Sequence, residues 1–187
     1  GISAVTRFAV FIPTTHGPVL IERITDLARF DQSLVCLGKS SDKLGHMSHG
    51  YDAFVKPGTG VIARAFPASE AGAYRLDVSG DVDRGDSWQL AAFLAHAIRE
   101  SPDHDLVETE EAAEAVVWAT GRVQYDYTIG AVESVGEKSA TSRSAFERWA
   151  NRGLPVFLLA PCGRNRDELQ ATGPPPAFET HGVEGVW

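Results

Sequence analysis

Ser87, in Gly85-Asp86-Ser87, and Lys138, in Gly136-Glu137-Lys138, are a potential nucleophile and a potential base on one chain. A serine hydroxyl attacks poorly until a neighbouring base takes its proton. Lysine can do this only when neutral, so its ordinary pKa of about 10.4 has to fall by several units. Burial among apolar groups supplies such a fall, up to about 3–5 units for a fully enclosed amine. Val132, Val135 and Ala140 flank Lys138, and Glu137 points about 100° away from it on a helix. The two residues therefore read as a serine–lysine hydrolase pair that needs no histidine as base.

Elements of matching type surround both residues. Tyr74 to Val78 alternates like a half-buried strand. Leu90, Phe93, Leu94, Ala97 and Ile98 then repeat at helical spacing, which predicts a helix opening at Ser87 with that face buried. Asp86 is a good N-cap type, and Gly85 permits a tight turn ahead of it. A serine at a helix start lies beside backbone N–H groups that can hold an oxyanion. Ala115 to Ala119 reads as a buried strand ended by Thr120-Gly121, Arg122 to Tyr127 as a turn or hairpin, and Thr128 to Val132 as a short strand. A helix is expected from about Glu137 to Arg152, turning Ala140, Phe146, Trp149 and Ala150 inward and stopping at Gly153. Leu154 to Ala160 follows as an apolar strand, broken by Pro161-Cys162-Gly163-Arg164-Asn165.

In this order the motifs resemble the proteolytic domain of Lon proteases. They are Gly85-Asp86-Ser87, Thr120-Gly121, Ile129-Gly130 through Glu137-Lys138, and Leu158 to Pro161 with Asn165. Arg7 to Val10 followed by Gly17 to Glu22 is similar to the paired strands that open that domain. The resemblance runs from about residue 4 to 170. It implies an α+β fold of small β-sheets with packed helices, the ribosomal protein S5 domain 2-like type. The expected organisation is a proteolytic domain over 1–170 and a flexible C-terminal segment over 171–187. The resemblance makes Ser87 the nucleophile, Lys138 the general base and Thr120 a hydroxyl that orients the lysine, with Asp86 part of the same site. It implies a serine endopeptidase acting on protein or peptide substrates, and a homo-oligomeric ring. No ATP-binding motif is present in the sequence, so a motor would lie on another chain or domain. A catalytically silent domain serving assembly or docking is the alternative. Trp88, directly after the serine, is bulkier than the family's usual small residue and is expected to narrow the groove.

Composition fits a cytoplasmic domain. The chain has 187 residues, a net charge of −8, 43% hydrophobic residues and two cysteines, too few for a disulfide framework. The acidic balance argues against a nucleic-acid surface, and no apolar run or leader-like N-terminus points to a membrane. No cofactor is expected. Gly38-Lys39-Ser40 lacks the earlier glycine of a phosphate loop, with Ser33 in its place. His46 and His49 read as a polar loop and not a metal pair, and His96 as a surface or boundary residue. Cys162 reads as a loop cysteine, and the acidic run Asp103, Asp105, Glu108, Glu110, Glu111 and Glu114 as a solvated face.

Overall fold

The structure, a computed structural model, describes residues 5–28, 31–38, 40–45, 47–67 and 72–186. Lys39 and His46, which belong to two of the motifs weighed above, lie outside them, as does Trp187. The elements follow in the order β1 (Thr6–Ile12), β2 (Val19–Asp26), β3 (Leu34–Leu37), β4 (Ser40–Leu44), α1 (Ser48–Val55), α2 (Val61–Ala65) and β5 (Tyr74–Val78). Then come α3 (Gln89–Glu100), β6 (His104–Leu106), β7 (Ala115–Ala119), β8 (Arg122–Val123) and β9 (Ile129–Gly130). The last are α4 (Val135–Thr141), α5 (Arg143–Asn151), β10 (Val156–Pro161), α6 (Arg164–Ala171) and β11 (Glu179–Val183).

The fold is mixed α/β. The small sheets expected from the sequence are joined into one nine-stranded sheet of order β11-β10-β7-β1-β2-β5-β3-β4, with β6 also paired to β1; β8 and β9 form a separate two-stranded ribbon. The β1–β2 pair is antiparallel, with Phe11 opposite Leu20, whereas β7, β10 and β11 run parallel to β1. Successive strand residues point to opposite faces, and here both faces are covered. Val10, Ile12, Val117 and Ala119 belong to one core with α1 and α3. Ala9, Phe11, Val116 and Trp118 belong to the other, with Phe146 and Trp149 of α5. A strand covered on both sides has no polar face, which is why Ala115 to Ala119 is an unbroken apolar run.

Several local expectations are corrected. In α3 the buried residues are Leu90, Ala91, Ala92, Phe93, Ala95 and His96, while Leu94, Ala97 and Ile98 are half-buried. Three alanines let the helix sit close over the sheet, so its buried arc is wider than the large side chains alone predict. His96 is fully enclosed and hydrogen-bonded to the Tyr51 hydroxyl at 2.8 Å. The helix expected from Glu137 begins at Val135 and breaks at Ser142, leaving Ala140 and Ala150 exposed. The acidic run is partly paired, since Arg148 grips both oxygens of Glu110 and Arg7 bonds Glu114. Finally, 171–186, the described part of the segment expected to be flexible, is not a loose extension. Phe178 packs edge-on against Phe146, and Glu179–Val183 pairs in parallel with β10. Among the described residues no helix is long and apolar enough to cross a membrane.

Candidate active site

Ser87 sits in the turn between β5 and α3, two residues ahead of the first helical position. Gly85 has φ +103°, a backbone region that side-chain-bearing residues seldom adopt, so the turn needs glycine there. Neither Asp86 nor Ser87 caps α3 through its side chain; the cap position is Trp88, and the Asp86 carbonyl accepts from Gln89 N. Trp88 does not narrow the groove. Its ring is 1% exposed, packs edge-on against Phe54, and donates from Nε1 to the Gly85 carbonyl at 3.0 Å. The residue after the serine is thus an anchor that holds the turn onto the core.

A second latch comes from Gly121. Its N–H donates to the Ser87 carbonyl and its own carbonyl accepts from Leu90 N, both at 3.0 Å. A Cβ at this position would lie 2.8 Å from Ile129 Cγ2 and 3.2 Å from Leu90 Cδ2, so any other residue would force these side chains to shift. This gives a physical reason for the glycine of Thr120-Gly121. Thr120 is buried with its amide donating to the Leu159 carbonyl. Its hydroxyl makes no hydrogen bond with any described group, so the expected orienting bond to the lysine is not formed.

Lys138 enters the site from α4. Ser134, with φ +62°, starts that helix in the left-handed region, and its carbonyl accepts from Lys138 N at 2.9 Å. The Lys138 carbonyl accepts from Thr141 Oγ1 and from Ser142 Oγ, and Ser142 Oγ in turn accepts from Trp118 Nε1. These bonds hold the residue while its side chain, 3% exposed, reaches Ser87. Nζ lies 3.2 Å from Ser87 Oγ, although 51 positions separate the two in sequence. The same spacing serves a charged amine donating to the oxygen or a neutral amine accepting the hydroxyl proton. Burial pushes the Lys138 pKa below its ordinary value, and the negative charges of Asp83 and Glu133 oppose that shift.

Asp83 and Thr15 complete the wall and were not foreseen, since neither belongs to a recognisable motif. Together with Arg84, Asp86, Arg122 and Glu133 they border a cleft of about 620 Å³ that contains Ser87 and Lys138. The backbone N–H groups of Asp86 and Ser87 donate to no described group, which leaves them available to an oxyanion. The other residues weighed from the sequence stand apart from this cleft. His49 is in α1 and Cys162 is exposed in the turn before α6; the second cysteine, Cys36, is buried in β3. Among the described residues no group of three or more His, Cys, Asp or Glu side chains could hold a metal ion. No protein-family model matches the chain, and no curated protein matches it.

Proposed function

We propose that the chain is a serine peptidase domain of the Lon-like type, cleaving peptide bonds with Ser87 and Lys138. The observation that carries this reading is the 3.2 Å approach of an enclosed lysine amine to a serine hydroxyl, both lining an open cleft. Neutral Lys138 takes the Ser87 proton as Oγ bonds to the peptide carbonyl carbon, and the carbonyl oxygen becomes an oxyanion held by backbone N–H groups. The ammonium then returns the proton to the leaving amine as the C–N bond breaks. Water, deprotonated by the same amine, releases the acyl group from Ser87. Asp83 and Glu133 stabilise the transient ammonium, at the cost of keeping more lysine protonated at rest.

In keeping with the resemblance, the domain assembles as a homo-oligomeric ring and receives unfolded polypeptide from an ATPase motor on another chain or domain. The test of the core reading is hydrolysis of fluorescein-labelled casein by the wild type and by Ser87→Ala. Release of soluble fluorescence by the wild type alone is expected. Casein left intact by both would point instead to a silent assembly or docking module.

A further inference from the structure

The stretch from Ala131 to Ser134 borders the cleft yet belongs to no helix or strand, because β9 ends at Gly130 and α4 begins at Val135. Such a segment has no ladder partners for its backbone polar groups, and buried N–H and C=O groups need partners from elsewhere. Val132 is only 6% exposed. Its amide donates to Asn165 Oδ1 at 2.8 Å, and its carbonyl accepts from Asn165 Nδ2, also at 2.8 Å. One side chain, itself 1% exposed, thereby satisfies both backbone groups of a single residue in the way a neighbouring strand would.

The clamp is directly coupled to the base. Two residues beyond Val132, Ser134 opens the helix whose second turn carries Lys138, and the Ser134 carbonyl receives the Lys138 N–H. Asn165 is the second residue of α6, placed by the turn after β10, where Gly163 has φ +82°. At the other end of α6, the Thr172 hydroxyl bonds that of Ser139, the residue next to the lysine, at 2.8 Å. α6 therefore runs as a splint along the segment that delivers Lys138.

We propose that Asn165 is a positioning residue for the Ser87–Lys138 pair, acting through its two hydrogen bonds to Val132; the inference rests on the peptidase reading above. Asn165 does not line the cleft that contains Ser87 and Lys138. Without it the 131–134 segment loses both backbone partners, moves with respect to Ser87 and admits water to the lysine. Misplacement of a catalytic group by about 1 Å can cost on the order of 100-fold in rate.

The test is Asn165→Leu, which keeps the volume and removes both bonds, compared with Leu169→Val, which trims the core side of the same helix and leaves the clamp whole. With a fluorogenic peptide, Asn165→Leu is expected to lose about 10- to 100-fold in kcat with KM little changed. The acid limb of its pH–rate profile should move to higher pH, because a wetter lysine holds its proton more tightly. Leu169→Val should keep the wild-type profile. A folded Asn165→Leu protein with wild-type kcat and an unmoved limb would overturn the proposal, as would equal losses in both variants. If Asn165→Leu does not fold, Asn165→Asp, which keeps the acceptor for the Val132 amide, is judged on the same two readouts. If the wild type cleaves no peptide, the peptidase reading fails separately. The lysine titration, followed by heteronuclear NMR of labelled side chains, then decides for Asn165. A Lys138 titration displaced upward in Asn165→Leu sustains the positioning role, and an unchanged one removes it.

Discussion

Asp83 receives two hydrogen bonds from Thr15, one from its amide to Oδ2 and one from its hydroxyl to Oδ1, each 2.8 Å long. The contact ties the β1–β2 connection to the segment just ahead of Ser87, across 68 residues of sequence. It also fixes a carboxylate whose charge opposes the burial of Lys138. Asp83→Asn is expected to lower the lysine pKa further, so the acid limb of activity moves to lower pH. Glu133→Gln should move it the same way without disturbing Thr15. Asp83→Asn alone should lose about 1 kcal/mol of stability from the weakened tie. Matched pH–rate profiles and urea unfolding curves check both statements.

Ser87→Ala removes the proposed nucleophile and leaves the turn intact, because Trp88 and Gly121 hold that turn through the backbone and the core. Peptide hydrolysis should fall by at least about 1,000-fold. Stability should change by no more than about 1 kcal/mol, a melting shift of roughly 2–4 °C for a domain of this size. Retention of wild-type turnover by the alanine variant would end the assignment of Ser87.

Lys138→Arg should be as inactive as Lys138→Ala, since a guanidinium does not give up its proton in the working range. Lys138→Met should be inactive but more stable at neutral pH. The lysine pKa is lower in the folded chain than in the unfolded one, chiefly through burial. Between the two values the unfolded chain binds more protons, so stability rises with pH across that window. Methionine removes the slope together with the cost of enclosing a charge. Denaturant titrations at pH 7 and at pH 10 should find the gain from methionine shrinking as the pH rises.

His96 contributes to the pH dependence of stability on the acid side. Burial, helped by the positive charge of Arg99, lowers its pKa from 6.5 to about 3. The unfolded chain therefore binds more protons between those values, and stability should fall as the pH drops from 6.5 towards 3. At about 1.4 kcal/mol per unit, the loss amounts to several kcal/mol. His96→Gln keeps a partner for the Tyr51 hydroxyl and does not titrate, so its unfolding midpoint in urea should vary less between pH 7 and pH 4.

What could be read from the sequence was governed by how local its cause is. Ser87 and Lys138 stood out because a strand precedes the serine and a helix carries the lysine, and those elements announce themselves through nearby residues. The buried run of β7 was legible for the same reason, whereas the β1–β2 pair was expected only from the resemblance. His96 was misplaced because the side chain that accepts it, Tyr51, lies 45 residues away on α1. α6 was missed because Arg164–Ala171 is mostly charged or polar and buries only Asn165 and Leu169. β11, with the sequence Glu-Thr-His-Gly-Val, has no apolar alternation to reveal it. Ser142, where the helix breaks, bonds Trp118 24 residues away, and the Thr15–Asp83 tie joins segments 68 residues apart.

The place of β1 in the middle of the sheet also bears on how quickly the chain can fold. One edge of β1 is met early, by β2 across a short connection, but its other edge waits for β7, with Phe8 opposite Ala115. Closing so long a loop costs entropy before the parallel contacts repay it. Sheets built from distant pairings fold in milliseconds to seconds, roughly a thousand times more slowly than helical bundles. During that interval the edge of the apolar strand Ala115–Ala119 that faces β1 is unpaired, even where β10 already covers the other edge, and this leaves it open to association with other chains. Refolding yield should therefore fall with protein concentration, and substitutions that weaken the β1–β7 pairing should lower it further even where native stability is little changed.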